Sequence, residues 1–270
     1  MSDRSNRSEL VLRVVTGAAL IAIAMVALAL GGIVFWLLAT LVGLLMMAEW
    51  ADLNGISLRH KRLALYSLFV PLALMSPLGA GPGFLSLGLL AGAAFFIVII
   101  TNRRELALGT LYCGLPVLAL LLIRRQHAAG PDLSTYPGVI YALWALALVW
   151  ATDIGAYFAG RTIGGPKLAP RVSPNKTWAG LVGGVALASS LAIGMQYRYG
   201  LPVRLTLATP VLAVLAQGGD LYESWLKRRA GVKDSGRLIP GHGGVLDRLD
   251  GLVPVAPVAA FLVVLPHFYP

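Results

Sequence analysis

The chain has 270 residues, of which 57% are apolar and only 13% charged, against roughly 45–50% and about 25% in soluble globular domains. A water-soluble fold of this size has no means of hiding so much apolar surface, so its solvent is lipid. The formal charge of +10 would suit nucleic acid, but the basic residues lie in short breaks between apolar stretches. No soluble basic domain is left to carry a nucleic acid, and an anionic bilayer surface is the expected partner. The single cysteine, Cys113, excludes an internal disulfide and a cysteine metal cluster, and reads as a small packed residue.

Residues 1–13 are polar and carry Arg4, Arg7 and Arg13. The apolar run that follows is too long for a cleavable signal peptide, which predicts an uncleaved first span; neither end shows a lipidation motif. With about 20 apolar residues needed to cross the hydrocarbon, spans are expected near 14–30, 32–48, 63–78, 83–101, 106–123, 138–158, 178–196, 205–222 and 252–268. Gly31-Gly32, between the first two, permits a tight turn or a kink in one long segment. Lys and Arg collect in cytoplasmic loops. With the N-terminus inside, nine spans place 18 of the 22 basic residues on inner segments, leaving only Arg124, Arg125, Arg198 and Arg204 outside. The expected fold is thus an all-α, polytopic membrane helix bundle of about nine transmembrane helices in the cytoplasmic (inner) membrane. About five spans fall in 1–135 and the rest in a catalytic region, 136–270, whose active site faces the cytosol. The Gly/Ala/Ser run at 180–192 suits close helix packing in lipid.

Two inner segments, about 159–177 and 223–251, concentrate Gly, Pro, Ser, Asn and His with their charges. Asp153, Asp220, Glu223, Asp234, Asp247 and Asp250 all lie in or beside them. Acidic residues at the inner end of a span are costly unless paired, metal-bound or solvated, which marks a functional site. Asp153 closes the sixth span. Beyond it, Ser173-Pro174-Asn175-Lys176-Thr177 could receive a phosphate beside a helix N-terminus, or serve as an ordinary cap with a positive-inside lysine.

Asp220, Glu223, Ser224 and Lys227 are spaced to share one helix face. They either converge as two carboxylates, a hydroxyl and an ammonium, or form a salt-bridged helix end from which basic side chains snorkel to headgroups. In the next stretch Gly231, Gly236, Gly241, Gly243, Gly244 and Pro240 forbid a regular helix. Such a loop could bring backbone N–H groups to phosphate oxygens, with Lys233 and Arg237 adding charge. His242 could donate to phosphate, act as acid or base, or only fix the turn. Asp247 and Asp250, three apart, face the same way at the start of the ninth span. Carboxylates with few His and no Cys nearby suit a hard cation such as Mg²⁺, and metal with phosphate points to phosphoryl or nucleotidyl transfer.

Ser224-Trp225-Leu226-Lys227-Arg228, Lys233-Asp234-Ser235-Gly236 and Leu238-Ile239-Pro240-Gly241-His242-Gly243-Gly244-Val245-Leu246-Asp247-Arg248-Leu249-Asp250 together resemble the signature of the phosphatidate cytidylyltransferases, without a break in spacing. Asp153, Ala156-Tyr157, Gly160-Arg161 and 173–177 resemble that family's second stretch. Ala179 departs from it, standing where many members carry an acidic or amide residue. The resemblance implies Mg²⁺-dependent transfer of CMP from CTP to phosphatidic acid, with release of pyrophosphate. It further implies a metal site at Asp220, Asp234, Asp247 and Asp250, with Asp153 and Glu223 as lesser candidates. Lys176, Lys227, Lys233, Arg237 and Arg248 would bind phosphates, and Ser173, Thr177, Ser224 and His242 would orient them. A homodimer and a second cation stay open. So does another lipid phosphate as acceptor, because apolar spans carry no readable code for it. An ion-coupled transporter is the competing class; charges gathered on one inner face and the lack of an inverted repeat speak against it.

Overall fold

The structure, a computed structural model, describes residues 2–126, 137–239 and 243–267. It is helical almost throughout, with ten helices among the described residues: α1 Ser2–Leu30, α2 Gly32–Leu53, α3 Leu58–Leu74, α4 Phe84–Thr101, α5 Arg104–Arg124, α6 Pro137–Thr162, α7 Trp178–Tyr199, α8 Val203–Arg229, α9 Leu246–Leu249 and α10 Leu252–Val264. Each of the nine expected apolar stretches coincides with one of these helices, α1 to α8 and α10. Among the described residues α2, α4, α5, α6 and α7 are long and apolar enough to cross a membrane, while 14–30 and α10 are shorter apolar helices. The chain falls into two compact units, one made of Met1–Gly114 with Ala230–Leu249, the other of Leu115–Arg229 with Asp250–Pro270.

In the first unit the open question at Gly31-Gly32 resolves into a break. Gly31 and Gly32 have φ of 62° and 49°, left-handed values that glycine tolerates and a right-handed helix does not continue through. Helix α2 is tied to α3 and α5 by tryptophans whose indole N–H groups find backbone acceptors, as polar atoms in an apolar layer must. Trp36 donates to the Leu72 carbonyl at 2.8 Å, and Trp50 to the Glu105 carbonyl at 2.7 Å. The Trp50 ring also lies 4.8 Å from that of Tyr112 and is seated against Gly109, where a Cβ would come within 2.4 Å of it. Ser57 caps α3, which starts that helix five residues before the expected span.

The second unit is built on glycine contact between α6 and α7. A Cβ on Gly183 would stand 2.2 Å from that of Ala159, and one on Gly184 would stand 2.7 Å from the Thr152 carbonyl. The small residues of 180–192 therefore let two backbones touch, as expected for packing in lipid, where association depends on close fit. Trp144 of α6 donates to Thr209 Oγ1 of α8 at 3.0 Å. Between α6 and α7 the chain forms the one piece of sheet among the described residues: β1 (Lys167–Ala169) antiparallel to β2 (Ser173–Thr177), with Lys167 opposite Thr177. The 173–177 segment is thus a strand that runs directly into a helix. Pro174 is accommodated because a two-stranded ribbon leaves one edge without ladder bonds. Thr177 ends β2 and caps α7, its hydroxyl accepting from Gly180 N at 3.0 Å.

Gly183→Ala should destabilise by about 1–3 kcal/mol through overpacking. Gly194→Ala on the same helix, where a Cβ meets nothing within 4 Å, should be neutral or stabilising by up to about 1 kcal/mol. Thermal unfolding in detergent checks the contrast, and equal midpoints for the two variants would contradict it.

Candidate active site

In the second unit the polar chemistry converges on Lys176. As the fourth residue of β2 its ammonium reaches α8, donating to Gln217 Oε1 at 2.9 Å and forming an ion pair with Asp220. Gln217, 4% exposed, passes the contact on, its Nε2 donating to Asp153 Oδ1 of α6 at 3.3 Å. Ser224, one turn along α8, donates to Asp220 Oδ1 at 3.3 Å. Asp250 is drawn to the same group. Gly219 of α8 has no side chain, which lets the Asp250 carbonyl and Pro254 approach it closely, and the Asp250 carboxylate accepts from Gly251 N at 2.7 Å. Burial pushes the Asp250 carboxyl up to about 7; negative Asp220 and Asp153 push the same way, against the Gly251 hydrogen bond and Lys176. Three carboxylates thus share one nearby ammonium.

A cavity of about 330 Å³ opens on this cluster. Ser173, Asn175, Lys176 and Thr177 of β2, Asp153 and Tyr157 of α6, and Gln217 and Asp220 of α8 line it, with Gly180 and Leu181 closing one side. The Thr177 hydroxyl is already engaged as a helix cap. The expected convergence on α8 splits in two: Asp220 and Ser224 join the Lys176 cluster, whereas Glu223, 1% exposed, pairs with Lys227 at 3.2 Å. For that pair the salt-bridged helix end is the better description.

In the first unit the glycine-rich segment is folded around two carboxylates. Asp247 Oδ2 accepts from Ser235 N at 2.9 Å, Ser235 Oγ at 3.0 Å and Gly244 N at 2.8 Å. Glu49, buried near the end of α2, accepts from Val245 N at 2.8 Å, and from Leu246 N and Ser235 Oγ at 2.9 Å each. The single hydroxyl proton of Ser235 is shared between the two carboxylates. Of the N–H groups that the loop could offer to phosphate, those of Ser235, Gly244, Val245 and Leu246 are taken by side chains of the same unit. The glycines make room for those carboxylates. A Cβ on Gly244 would lie 2.1 Å from Ser235 Oγ and 2.5 Å from Glu49 Oε2, and Gly243 holds φ of 82°. Ile239 and Gly243 close the loop by a backbone bond at 3.0 Å, with Lys233, Asp234, Arg237 and Arg248 exposed. His242 lies outside the described residues.

Glu49 and Gln217 escaped sequence reading. Glu49 sits 186 residues from Ser235 in an apolar span, where its only signal was its charge; Gln217 is neutral and carried none. Among the described residues no three Asp, Glu, His or Cys side chains form a group able to hold a metal ion by themselves. The donor chemistry nonetheless fits Mg²⁺, which uses one or two carboxylates and completes its shell with water and substrate phosphates. Asp153, Asp220 and Asp250 carry more negative charge than Lys176 neutralises.

A membrane helical protein with a lysine–carboxylate cavity and an acid-organised glycine loop fits a class acting on phosphorylated substrates, and the comparisons narrow it. Residues 11–265 match the Cytidylyltransferase family, and the chain belongs to that family. It is 40% identical over 260 residues to a phosphatidate cytidylyltransferase of Brucella suis biovar 1, covering 92% of this chain and 91% of the relative. It is 33% identical over 246 residues to one from Staphylococcus haemolyticus, covering 88% and 92%. The Bacillus subtilis enzyme of that name is 47% identical over 131 residues, about half of each chain.

Replacing Lys176 with Met should leave the three carboxylates short of a cation. The expected loss is about 1–3 kcal/mol of stability, between the values for exposed and buried pairs, with millimolar Mg²⁺ restoring more of it than it adds to the wild type. Thermal unfolding with and without Mg²⁺ is the check; equal Mg²⁺ responses would remove the case for a cation at this cluster.

Proposed function

We propose that this protein is a phosphatidate cytidylyltransferase, transferring CMP from CTP to phosphatidic acid to give CDP-diacylglycerol and pyrophosphate. The observation that carries the reading is near-full-length similarity to relatives of that name; the Lys176 cavity supplies chemistry consistent with it. In the reaction a phosphate oxygen of phosphatidic acid attacks the α-phosphorus of CTP, and the bond to the β-phosphate oxygen breaks. Two anions must be held in line while charge develops on the leaving pyrophosphate. Lys176 binds a phosphate oxygen, Ser173 and Ser224 orient it, and Gln217 keeps the ammonium aimed into the cavity. Asp153, Asp220 and Asp250 are the candidate magnesium ligands of this unit. Bound there, Mg²⁺ would neutralise phosphate charge. On the loop, exposed Lys233 and Arg237 are phosphate-binding candidates and Asp234 a further metal candidate, while the bonds made by Asp247 favour holding the loop.

The membrane arrangement proposed with it has nine spans, the N-terminus in the cytosol and the active site on the cytosolic face. The lopsided distribution of Lys and Arg between alternate loops supports this. Apolar helices then hold the acyl chains in the bilayer while CTP arrives from water.

Purified protein in mixed micelles, given α-labelled CTP and phosphatidic acid, should yield labelled lipid and equimolar pyrophosphate. EDTA should abolish both and Mg²⁺ restore them. Asp220→Asn should lower turnover roughly 100-fold or more, as loss of a residue stabilising transition-state charge does. No lipid label from folded protein would overturn the reading, and label on another lipid phosphate alone would reassign the acceptor.

A further inference from the structure

We propose that Glu49 is a positioning residue for the nucleotide: its carboxylate pins Ser235, Val245 and Leu246 to α2 and so sets how Lys233 and Arg237, on either side of Ser235, are presented to CTP. The proposal rests on the cytidylyltransferase reading. Glu49 is 7% exposed, and a carboxylate this deep is tolerated only when its lone pairs are met. Here Val245 N, Leu246 N and Ser235 Oγ meet them at 2.8–2.9 Å, all neutral donors belonging to the loop. The fit is mutual. At Gly236 a Cβ would stand 2.7 Å from Glu49 Oε1, and at Gly244 one would stand 2.5 Å from Oε2, so both positions are bare where the carboxylate enters.

A carboxylate is required rather than any polar group. Donors converge on both oxygens, and a glutamine would offer one acceptor and turn an NH₂ group against an N–H. An aspartate would fall one methylene short. Of the residues held in this way, Ser235 lies between Lys233 and Arg237, exposed cations suited to triphosphate, and Leu246 is the neighbour of Asp247. Glu49 touches no substrate in this scheme and acts through the loop alone.

The test uses the full chain in mixed micelles, with separate KM values for magnesium–CTP and phosphatidic acid, and native trypsin cleavage after Lys233 and Arg237. Glu49→Gln should raise the KM for CTP by about tenfold or more and leave that for phosphatidic acid within about twofold, with faster cleavage of the loop. Gly244→Ala, which displaces the carboxylate from the opposite side, should do the same. Asp52→Asn, on the same helix as Glu49 but in an exposed ion pair with Lys61 of α3, should do neither. A fall in turnover with both KM values unchanged would indicate lost folded enzyme and overturn the proposal, as would wild-type KM and cleavage. If Glu49→Gln does not fold, Gly244→Ala decides by the same two readouts. A wild type without cytidylyltransferase activity would sink the functional reading, yet the cleavage comparison would still judge the pinning.

Discussion

The structure depends on one constraint, that a carboxylate near apolar helices must be given partners before it can stay charged. Water is scarce there, and an unpaired carboxylate costs several kcal/mol or becomes neutral. The first unit meets the constraint with hydrogen-bond donors. Glu49 and Asp247 draw in backbone N–H groups and the Ser235 hydroxyl, so acid groups hold the described ends of an irregular loop. The second unit meets it with a cation, Lys176, and a neutral relay, Gln217, which spreads one ammonium over carboxylates from two helices.

Glycine makes both solutions sterically possible. In the loop, Gly236 and Gly244 clear the space that Glu49 occupies. In the helices, Gly183 and Gly184 let α6 and α7 touch, which fixes Asp153 on one helix relative to the strand that runs into the other. Gly219 admits the Asp250 backbone to α8 in the same way. Missing side chains thus decide where the charged ones meet, an arrangement suited to lipid, where close contact replaces the hydrophobic drive between helices.

Much of this was legible in the sequence, and the remainder was hidden for physical reasons. Long apolar runs announce helices because hydrocarbon demands internally bonded backbone, so the positions of α1 to α8 and α10 could be read directly. Asp153 and Asp220 were identifiable because acidic charge at the end of a span is costly and therefore informative, whereas Lys176 was singled out by the family resemblance. The pairing of Glu223 with Lys227 was one of two readings that helical spacing allowed. Glu49 was not legible, because its partners lie far along the chain and only tertiary folding brings them together. The carboxylates at Gly236 and Gly244 were hidden for a related reason: glycine spacing reveals a close approach but does not say whether a phosphate or a carboxylate approaches.

That ambiguity separates holding from chemistry. An acidic group whose oxygens are filled by neutral donors, as in Glu49, has little capacity left for a cation and serves as a fixed point. Asp153, Asp220 and Asp250 are in the opposite condition: they share one ammonium, the first two line a cavity, and burial with mutual repulsion holds the Asp250 carboxyl near 7. Such a cluster gains by accepting a divalent cation, and a cation held by so few protein oxygens keeps positions for phosphate. In the proposed reaction, a nucleotide that brought its own magnesium would relieve the repulsion as it bound. On that proposal, the same excess of negative charge would favour a metal–nucleotide complex over the free triphosphate, whose uncompensated charge the carboxylates would repel.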